Sequence, residues 1–271
     1  MSAASEFTFF KIKMEKNTAI IELNRPDAGN AMNWSFWIEL PEIMHQIEEN
    51  DDIRCVIFTG NGENFSIGLD IMDIGNRFEV INTAASAEER LLLHDLIQKM
   101  QMATNSVANC KKPVIAAVHK YCIGGGLDLI SACDIRLCSQ DALFSLREVK
   151  VAIVADMGSL QRLSYIIGDG ILREMALTGR DMTADEALRV SLVNQVYTDK
   201  ETLLSAARKM AARICKNPAP VVKGIKHVLN YSRDLKLEEA SQYVITYNSA
   251  FLHTSDLKNV FERFKKLSER M

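Results

Sequence analysis

The sequence lacks the long apolar segments and leader features that mark membrane and secreted proteins. No apolar run approaches the roughly 20 residues that a membrane-spanning helix requires. Residues 1–7 have neither the basic and apolar regions of a signal peptide nor the arginines of a transit peptide. Residues 268–271 match a peroxisomal signal only weakly. We therefore expect an intracellular protein with no membrane span and no clear targeting signal.

The sequence also has few of the patterns that bind metals, form disulfides or attract nucleic acids. None of its six cysteines forms a C-x-x-C pair, and its five histidines are scattered. We interpret the cysteines as reduced, buried thiols, and we expect no metal site. The formal net charge is -3, and lysine and arginine are dispersed along the chain. This charge distribution argues against a nucleic-acid partner, so an RNA-binding module is a remote alternative.

What the chain has is the composition of an ordinary globular protein. Its 271 residues, of which 48% are hydrophobic, are enough for one substantial core. Short apolar runs typical of strands alternate with helical patterns up to about residue 198, which predicts a mixed α/β fold. Beyond that point the pattern is helical. We therefore predict a core over residues 1–198 and a C-terminal helical region over residues 199–271.

Local signals place several elements and part of the core. Thr18–Leu23 is predicted to be a strand, and a helix is predicted from its capping residue Asn33 to about Glu49. Thr183 is predicted to cap a further helix, with Glu186 completing a capping box. Aromatic residues near the start of the chain are interpreted as core packing: Phe9, Phe10, Trp34, Phe36 and Trp37.

A run of three glycines, Gly124-Gly125-Gly126, opens a short predicted helix. Glycine permits close approach of the backbone and unusual dihedral angles. The start of a helix presents unpaired N–H groups and the positive end of the helix dipole. The run therefore has two interpretations, a tight packing contact or a site for a developing oxyanion.

Three carboxylates follow the glycine run. Asp128 falls in the first turn of the predicted helix, where an acid commonly complements the helix dipole. Glu148 and Asp156 lie in an otherwise apolar segment. Partial desolvation there would raise their pKa values toward the range that suits proton transfer, although each could equally be a solvated loop acid.

Several separated motifs resemble the crotonase, or enoyl-CoA hydratase/isomerase, superfamily. They occur in the same order as in that family and span the chain from about residue 8 to its end. The motifs are Leu23-Asn24-Arg25-Pro26, Phe65-Ser66-x-Gly68-x-Asp70, Lys112-Pro113-Val114-Ile115-Ala116-Ala117-Val118, Gly124-Gly125-Gly126-x-Asp128-Leu129, Cys133-Asp134-Ile135-Arg136 and Gly158-Ser159-Leu160-Gln161-Arg162-Leu163.

The resemblance implies a spiral of ββα units with a C-terminal helical region that serves trimerisation, usually in trimers or hexamers. It also implies that the backbone N–H groups of Leu69 and Gly125 hold the carbonyl of an acyl-CoA thioester. The loop that lines the substrate site would comprise Ile67, Gly68, Leu69, Asp70 and Ile71, together with Gly125. No cofactor is implied, because coenzyme A is part of the substrate.

Within this family the acids select the reaction. Hydratases carry a Glu at the position of Asp128 and another at that of Glu148, followed by a glycine-rich stretch in which this chain has Asp156. The set of three acids resembles the enzymes that convert 3,5-dienoyl-CoA to 2,4-dienoyl-CoA in the β-oxidation of unsaturated fatty acids. A hydratase is the alternative, and a Δ3-Δ2 enoyl-CoA isomerase, which needs one principal acid, is a weaker one. This role implies a mitochondrial or peroxisomal location.

Overall fold

The computed structural model describes residues 7–77, 86–252 and 254–268. In these described residues, nine strands form two sheets. They are β1 (Phe10–Glu15), β2 (Thr18–Leu23), β3 (Cys55–Gly60), β4 (Val114–Val118), β5 (Tyr121–Ile123), β6 (Ile135–Ser139), β7 (Leu143–Ser145), β8 (Asp181–Thr183) and β9 (Gln195–Tyr197). The larger sheet has the order β1-β2-β3-β4-β6-β9, and the smaller one the order β5-β7-β8.

The helices connect and cover these sheets. They are α1 (Trp34–Glu49), α2 (Ile71–Arg77), α3 (Ala87–Asn109), α4 (Gly125–Ser131), α5 (Ser159–Ile167), α6 (Asp169–Thr178), α7 (Ala184–Arg189), α8 (Lys200–Cys215), α9 (Ala219–Tyr231), α10 (Leu237–Phe251) and α11 (Thr254–Ser268). Short 3-10 helices occupy Pro26–Ala28, Glu148–Val151 and Ser232–Asp234. Within the described parts of the chain, no helix is both long and apolar enough to cross a membrane.

The chain winds as a spiral of ββα units. The strands β1 and β2 form an antiparallel hairpin, and every other neighbouring pair in the larger sheet is parallel. From β4 the chain passes by a short turn into β5 of the smaller sheet and then into α4. From β6 it passes in the same way into β7 and then into the 3-10 helix Glu148–Val151. The predicted α/β fold is confirmed.

Both faces of the larger sheet are buried, as expected for parallel strands. Alternate residues of the strands point to opposite faces. One face packs against α1 and α3, which also pack on each other, and it contains the aromatic cluster with Phe36 and Trp37. On the other face, Leu203 and Ala207 of α8 pack against Ile57 and its neighbours. The first helix beyond the predicted boundary at residue 199 therefore contributes to the core of the sheet.

Candidate active site

A cavity of about 230 Å³ lies between α1, α3, α4 and the end of β5 in the smaller sheet. The loop that leads into α2 forms one wall, and the 3-10 helix Glu148–Val151 with the loop after it forms another. Its lining is mostly apolar but includes the three predicted acids. The lining residues are Trp37, Ile67, Gly68, Leu69, Ile71, Met100, Ile123, Gly124, Gly125, Asp128, Arg147, Glu148, Val151, Ile153, Asp156 and Met157.

Two backbone N–H groups meet in this cavity. The Met32 N–H donates to the Gly68 oxygen at 2.7 Å, and the Asp70 N–H donates to the Met32 oxygen at 3.0 Å. Because Leu69 lies between these two bonds, its own N–H points away from Met32. The Leu69 nitrogen is 3.9 Å from the position that a Cβ on Gly125 would occupy.

The N–H of Gly125 has no intrahelical acceptor, because Gly125 is the first residue of α4. The Leu69 N–H likewise has no backbone acceptor among the residues that the structure describes. Two unpaired donors at the edge of an apolar cavity can stabilise negative charge on a ligand oxygen. The arrangement therefore favours the second of the two interpretations of the glycine run, an oxyanion site.

Gly124 allows Glu148 to approach these donors. Its φ is +49°, in the region that favours glycine. A Cβ on Gly124 would lie 3.0 Å from the Glu148 Oε1 atom, tighter than an ordinary contact. The carboxyl group of Glu148 is thus packed against the turn that presents the Gly125 N–H.

Asp128 is the most buried of the three acids, with 2% of its surface exposed. Its Oδ1 atom accepts a hydrogen bond of 2.8 Å from the backbone N–H of Ser159, the first residue of α5. Burial raises the pKa of Asp128 to about 6, although the hydrogen bond to Ser159 opposes the shift. Asp128 is therefore held in place by the next helix while it faces the cavity.

Glu148 and Asp156 are also perturbed by their surroundings. Burial raises the pKa of Glu148 to about 7, and the nearby charges of Asp128 and Asp156 add to the shift. Its Oε2 atom is buried without a hydrogen-bond partner in the described part of the chain. Burial also raises the pKa of Asp156 above its ordinary value. Asp128 and Glu148 are thus suited to exchanging protons near neutral pH, and the pKa of Asp156 is shifted in the same direction.

The structure brings most of the sequence-predicted site residues together. Asp128, Glu148 and Asp156 line one cavity with both predicted N–H donors, and so do Ile67, Gly68 and Ile71. Among the described residues, no group of His, Cys, Asp and Glu side chains is arranged to hold a metal ion.

Asp70 differs, because it does not line the cavity. Its carboxylate accepts from Arg25 at 2.8 Å and from the Asp73 N–H at 3.1 Å. Burial would raise the pKa of Asp70, but these hydrogen bonds and the charge of Arg25 hold it below its usual value. Its side chain ties the site loop to the 3-10 helix region of Arg25 and to the start of α2. Its predicted contact with substrate stays a prediction.

Several lining residues were not predicted as site residues, among them Trp37, Met100 and Arg147. Trp37 was interpreted as core, and it is 1% exposed, yet it also faces the cavity from α1. Met100 enters from α3, and Arg147 borders the cavity while its guanidinium pairs with Asp181 at 2.8 Å. None of these three lies in a motif. Helical periodicity predicts that Met100 lies on the buried face of α3. It does not predict which of the buried side chains border a cavity.

Comparison with known proteins identifies the family. The model of the family described as "Enoyl-CoA hydratase/isomerase" matches residues 13–269. The chain is 42% identical over 244 residues to the mitochondrial Delta(3,5)-Delta(2,4)-dienoyl-CoA isomerase of Mus musculus, covering 90% of this chain and 75% of that protein. It is 39% identical over 264 residues to the peroxisomal Delta(3,5)-Delta(2,4)-dienoyl-CoA isomerase of Arabidopsis thaliana, covering 95% and 94%.

A solved structure agrees with these relatives. A Thermobifida fusca protein in complex with acetoacetyl-CoA superposes with a TM-score of 0.79 at 28% identity, covering 90% of this chain and 94% of that one. The chain therefore belongs to the enoyl-CoA hydratase/isomerase family.

Proposed function

We propose that this protein is a Δ3,5-Δ2,4-dienoyl-CoA isomerase. One observation carries the proposal: three carboxyl groups with raised pKa values line an apolar cavity beside two free backbone N–H groups. The reaction takes a proton from C2 of the acyl chain and adds one at C6. Because these carbons are far apart, two separate acids are needed. Curated relatives at about 40% identity are isomerases of this kind.

The first step is removal of a proton from C2. The thioester oxygen accepts hydrogen bonds from the Leu69 and Gly125 N–H groups. Glu148 packs against the turn before Gly125, which supports a role for its carboxylate at the carbon next to the thioester carbonyl. As Glu148 takes the proton, the electron pair of the C2–H bond spreads over a conjugated dienolate. Each hydrogen-bond donor to such an oxyanion is typically worth about 2.7–4 kcal/mol.

The second step is protonation at C6. The carboxylic acid of Asp156 donates its proton to C6, and the double bonds settle between C2 and C3 and between C4 and C5. Glu148 is then protonated and Asp156 ionised, so one proton must return to Asp156 before the next cycle. Asp128 supports the exchange, because its charge raises the pKa of Glu148. No electrons enter or leave, so the reaction needs no cofactor beyond the coenzyme A of the substrate.

The test uses purified protein with 3,5-octadienoyl-CoA and follows the absorbance of the conjugated 2,4-diene. Glu148→Gln and Asp156→Asn should each lower the rate by at least about 100-fold, the usual contribution of a general acid or base. Both variants should still bind octanoyl-CoA, which cannot react. Glu201→Gln, at an exposed position on α8, serves as the control.

Two results would contradict the assignment. If the Asp156→Asn variant kept the full rate, Asp156 could not be the acid that protonates C6. Hydration of crotonyl-CoA by the wild-type protein without isomerisation would instead favour a hydratase, in which Asp128 and Glu148 position a water molecule.

We also propose that the protein assembles as a trimer or hexamer. Helices α9 and α10 carry large apolar side chains that are exposed in the single chain, including Ile225, Leu229 and Phe251. Exposed apolar patches of this kind commonly mark protein interfaces. Like the relatives named above, the protein would work in the mitochondrion or the peroxisome.

A further inference from the structure

The loop that carries Asp156 is exposed over its first half, whereas Ala155 and Met157, on either side of Asp156, are buried. It runs from Ala152 to Gly158, and both end residues have positive φ values, +59° and +106°. Val154, in the middle of the loop, is 76% exposed. Because the loop packs into the core only through the side chains of Ala155 and Met157, its polar backbone groups need partners of their own to hold it in one conformation.

Helix α3 supplies this restraint through two side chains three residues apart. The Gln101 Nε2 atom donates to the backbone oxygen of Asp156 at 2.6 Å. The hydroxyl of Thr104, which is completely buried, donates to the backbone oxygen of Met157 at 2.7 Å. The peptide oxygens of two successive loop residues are thus bound to one helix.

A third contact holds the end of the loop. The Arg162 guanidinium donates to the Met157 oxygen at 3.1 Å. The φ of Gly158 favours glycine, and a side chain there would displace this guanidinium from its present position. These three hydrogen bonds hold the peptide group that follows Asp156 and the next one, so they limit the directions in which the Asp156 side chain can leave the backbone.

We propose that Gln101 and Thr104 are positioning residues that hold the Asp156 carboxyl at the far end of the acyl chain. The inference rests on the proposed function, because it assigns these two side chains to the second proton transfer alone. Neither side chain lines the cavity, so both act through Asp156. The loss of about 1 Å in placement can cost on the order of 100-fold in rate.

The two-step reaction allows this role to be separated from a general structural one. Only protonation at C6 uses Asp156, whereas removal of the C2 proton uses Glu148. Loosening the loop should therefore slow product formation but leave C2 deprotonation intact. In D2O, a dienolate that is not protonated at C6 takes deuterium back at C2 and returns as labelled substrate.

The experiment compares Gln101→Leu, Thr104→Val and the double variant with wild type. Thr104→Val keeps the volume of a buried side chain, and Gln101→Leu changes a half-buried one, so the folded structure can be verified by thermal unfolding. Thr104→Ser keeps the hydroxyl and should restore the rate. Gln98→Leu, exposed three residues earlier on the same helix, is the matched control.

In the double variant we expect kcat to fall by about 10- to 100-fold while KM changes by less than about twofold. Mass spectrometry of the recovered 3,5-octadienoyl-CoA should show deuterium at C2 at no less than the wild-type rate, with Glu148→Gln as the background. If Thr104→Val does not fold, Gln101→Leu alone carries the comparison.

Two outcomes would overturn the inference. Either kcat of the folded variants equals that of Gln98→Leu, or kcat and C2 exchange fall together. Failure of the proposed function is distinct from both, because then the wild-type protein itself would form no 2,4-diene.

Discussion

The ionisation of Glu148 depends on its neighbours as well as on its burial. Burial contributes most to its pKa of about 7, and the charge of Asp128 contributes next. Asp128 has a pKa of about 6, so it is mostly ionised in the range where Glu148 titrates. Glu148 must be ionised to accept the C2 proton, and so kcat/KM should rise as the pH increases through the pKa of Glu148.

Asp128→Asn removes this like charge and should shift the rise in kcat/KM to lower pH. The asparagine Oδ1 can still accept the hydrogen bond from the Ser159 N–H, so the geometry is kept. The measurement is the pH profile of 2,4-diene formation. Asp95→Asn, at a highly exposed position on α3, should leave the profile unchanged. A rise that stays in place or moves to higher pH in Asp128→Asn would contradict the coupling.

Much of the site could be predicted from the sequence because its parts lie in short motifs. The glycine run, the two N–H donors and the three acids were all identified by residue, and the structure places them in one cavity. Gln101 could not be found this way, because its contact with Asp156 joins residues 55 positions apart. The sequence around Trp37 is typical of a core residue. It therefore gives no indication that Trp37 also faces the cavity.

At the scale of elements, α8 stabilises the sheet by filling one of its faces. Leu203→Ala should lower the free energy of unfolding by about 2–5 kcal/mol, because it leaves a cavity between α8 and the sheet. Chemical denaturation measures the change. Lys209→Ala, on the exposed face of α8, should change the stability little. Equal stability of Leu203→Ala and wild type would show that α8 does not pack as described.

The longer elements were predictable because they have periodicity and caps. The strand Thr18–Leu23 and the helix that ends at Glu49 are confirmed. The Thr183 side chain caps α7, but the prediction of a capping box was wrong, because the Glu186 carboxylate binds Arg180 instead. The three-residue strands β5, β7 and β8 were not predicted, because three residues are too few to show the alternating apolar pattern of a strand.

At the scale of the whole molecule, the exposed apolar face of α9 predicts association. Ile225 and Leu229 are four residues apart on one side of the helix, and 56% and 67% of their surfaces are exposed. Changing both to Asp should convert a trimer or hexamer to the mass of one chain in analytical ultracentrifugation. Leu177→Asp, at an equally exposed position on α6, should leave the assembly intact. A wild-type protein that sediments as one chain would refute the proposed assembly.

The two N–H donors belong to the main chain. The amide at position 69 can therefore stabilise negative charge whichever side chain that residue carries. Leu69 lines the cavity and packs in part against the core, and its backbone N–H is available whichever side chain it carries. Substituting smaller or larger apolar residues there would reshape the acyl pocket while the amide stays in place. Position 69 is therefore a natural starting point for libraries that redirect the enzyme toward shorter or branched acyl chains.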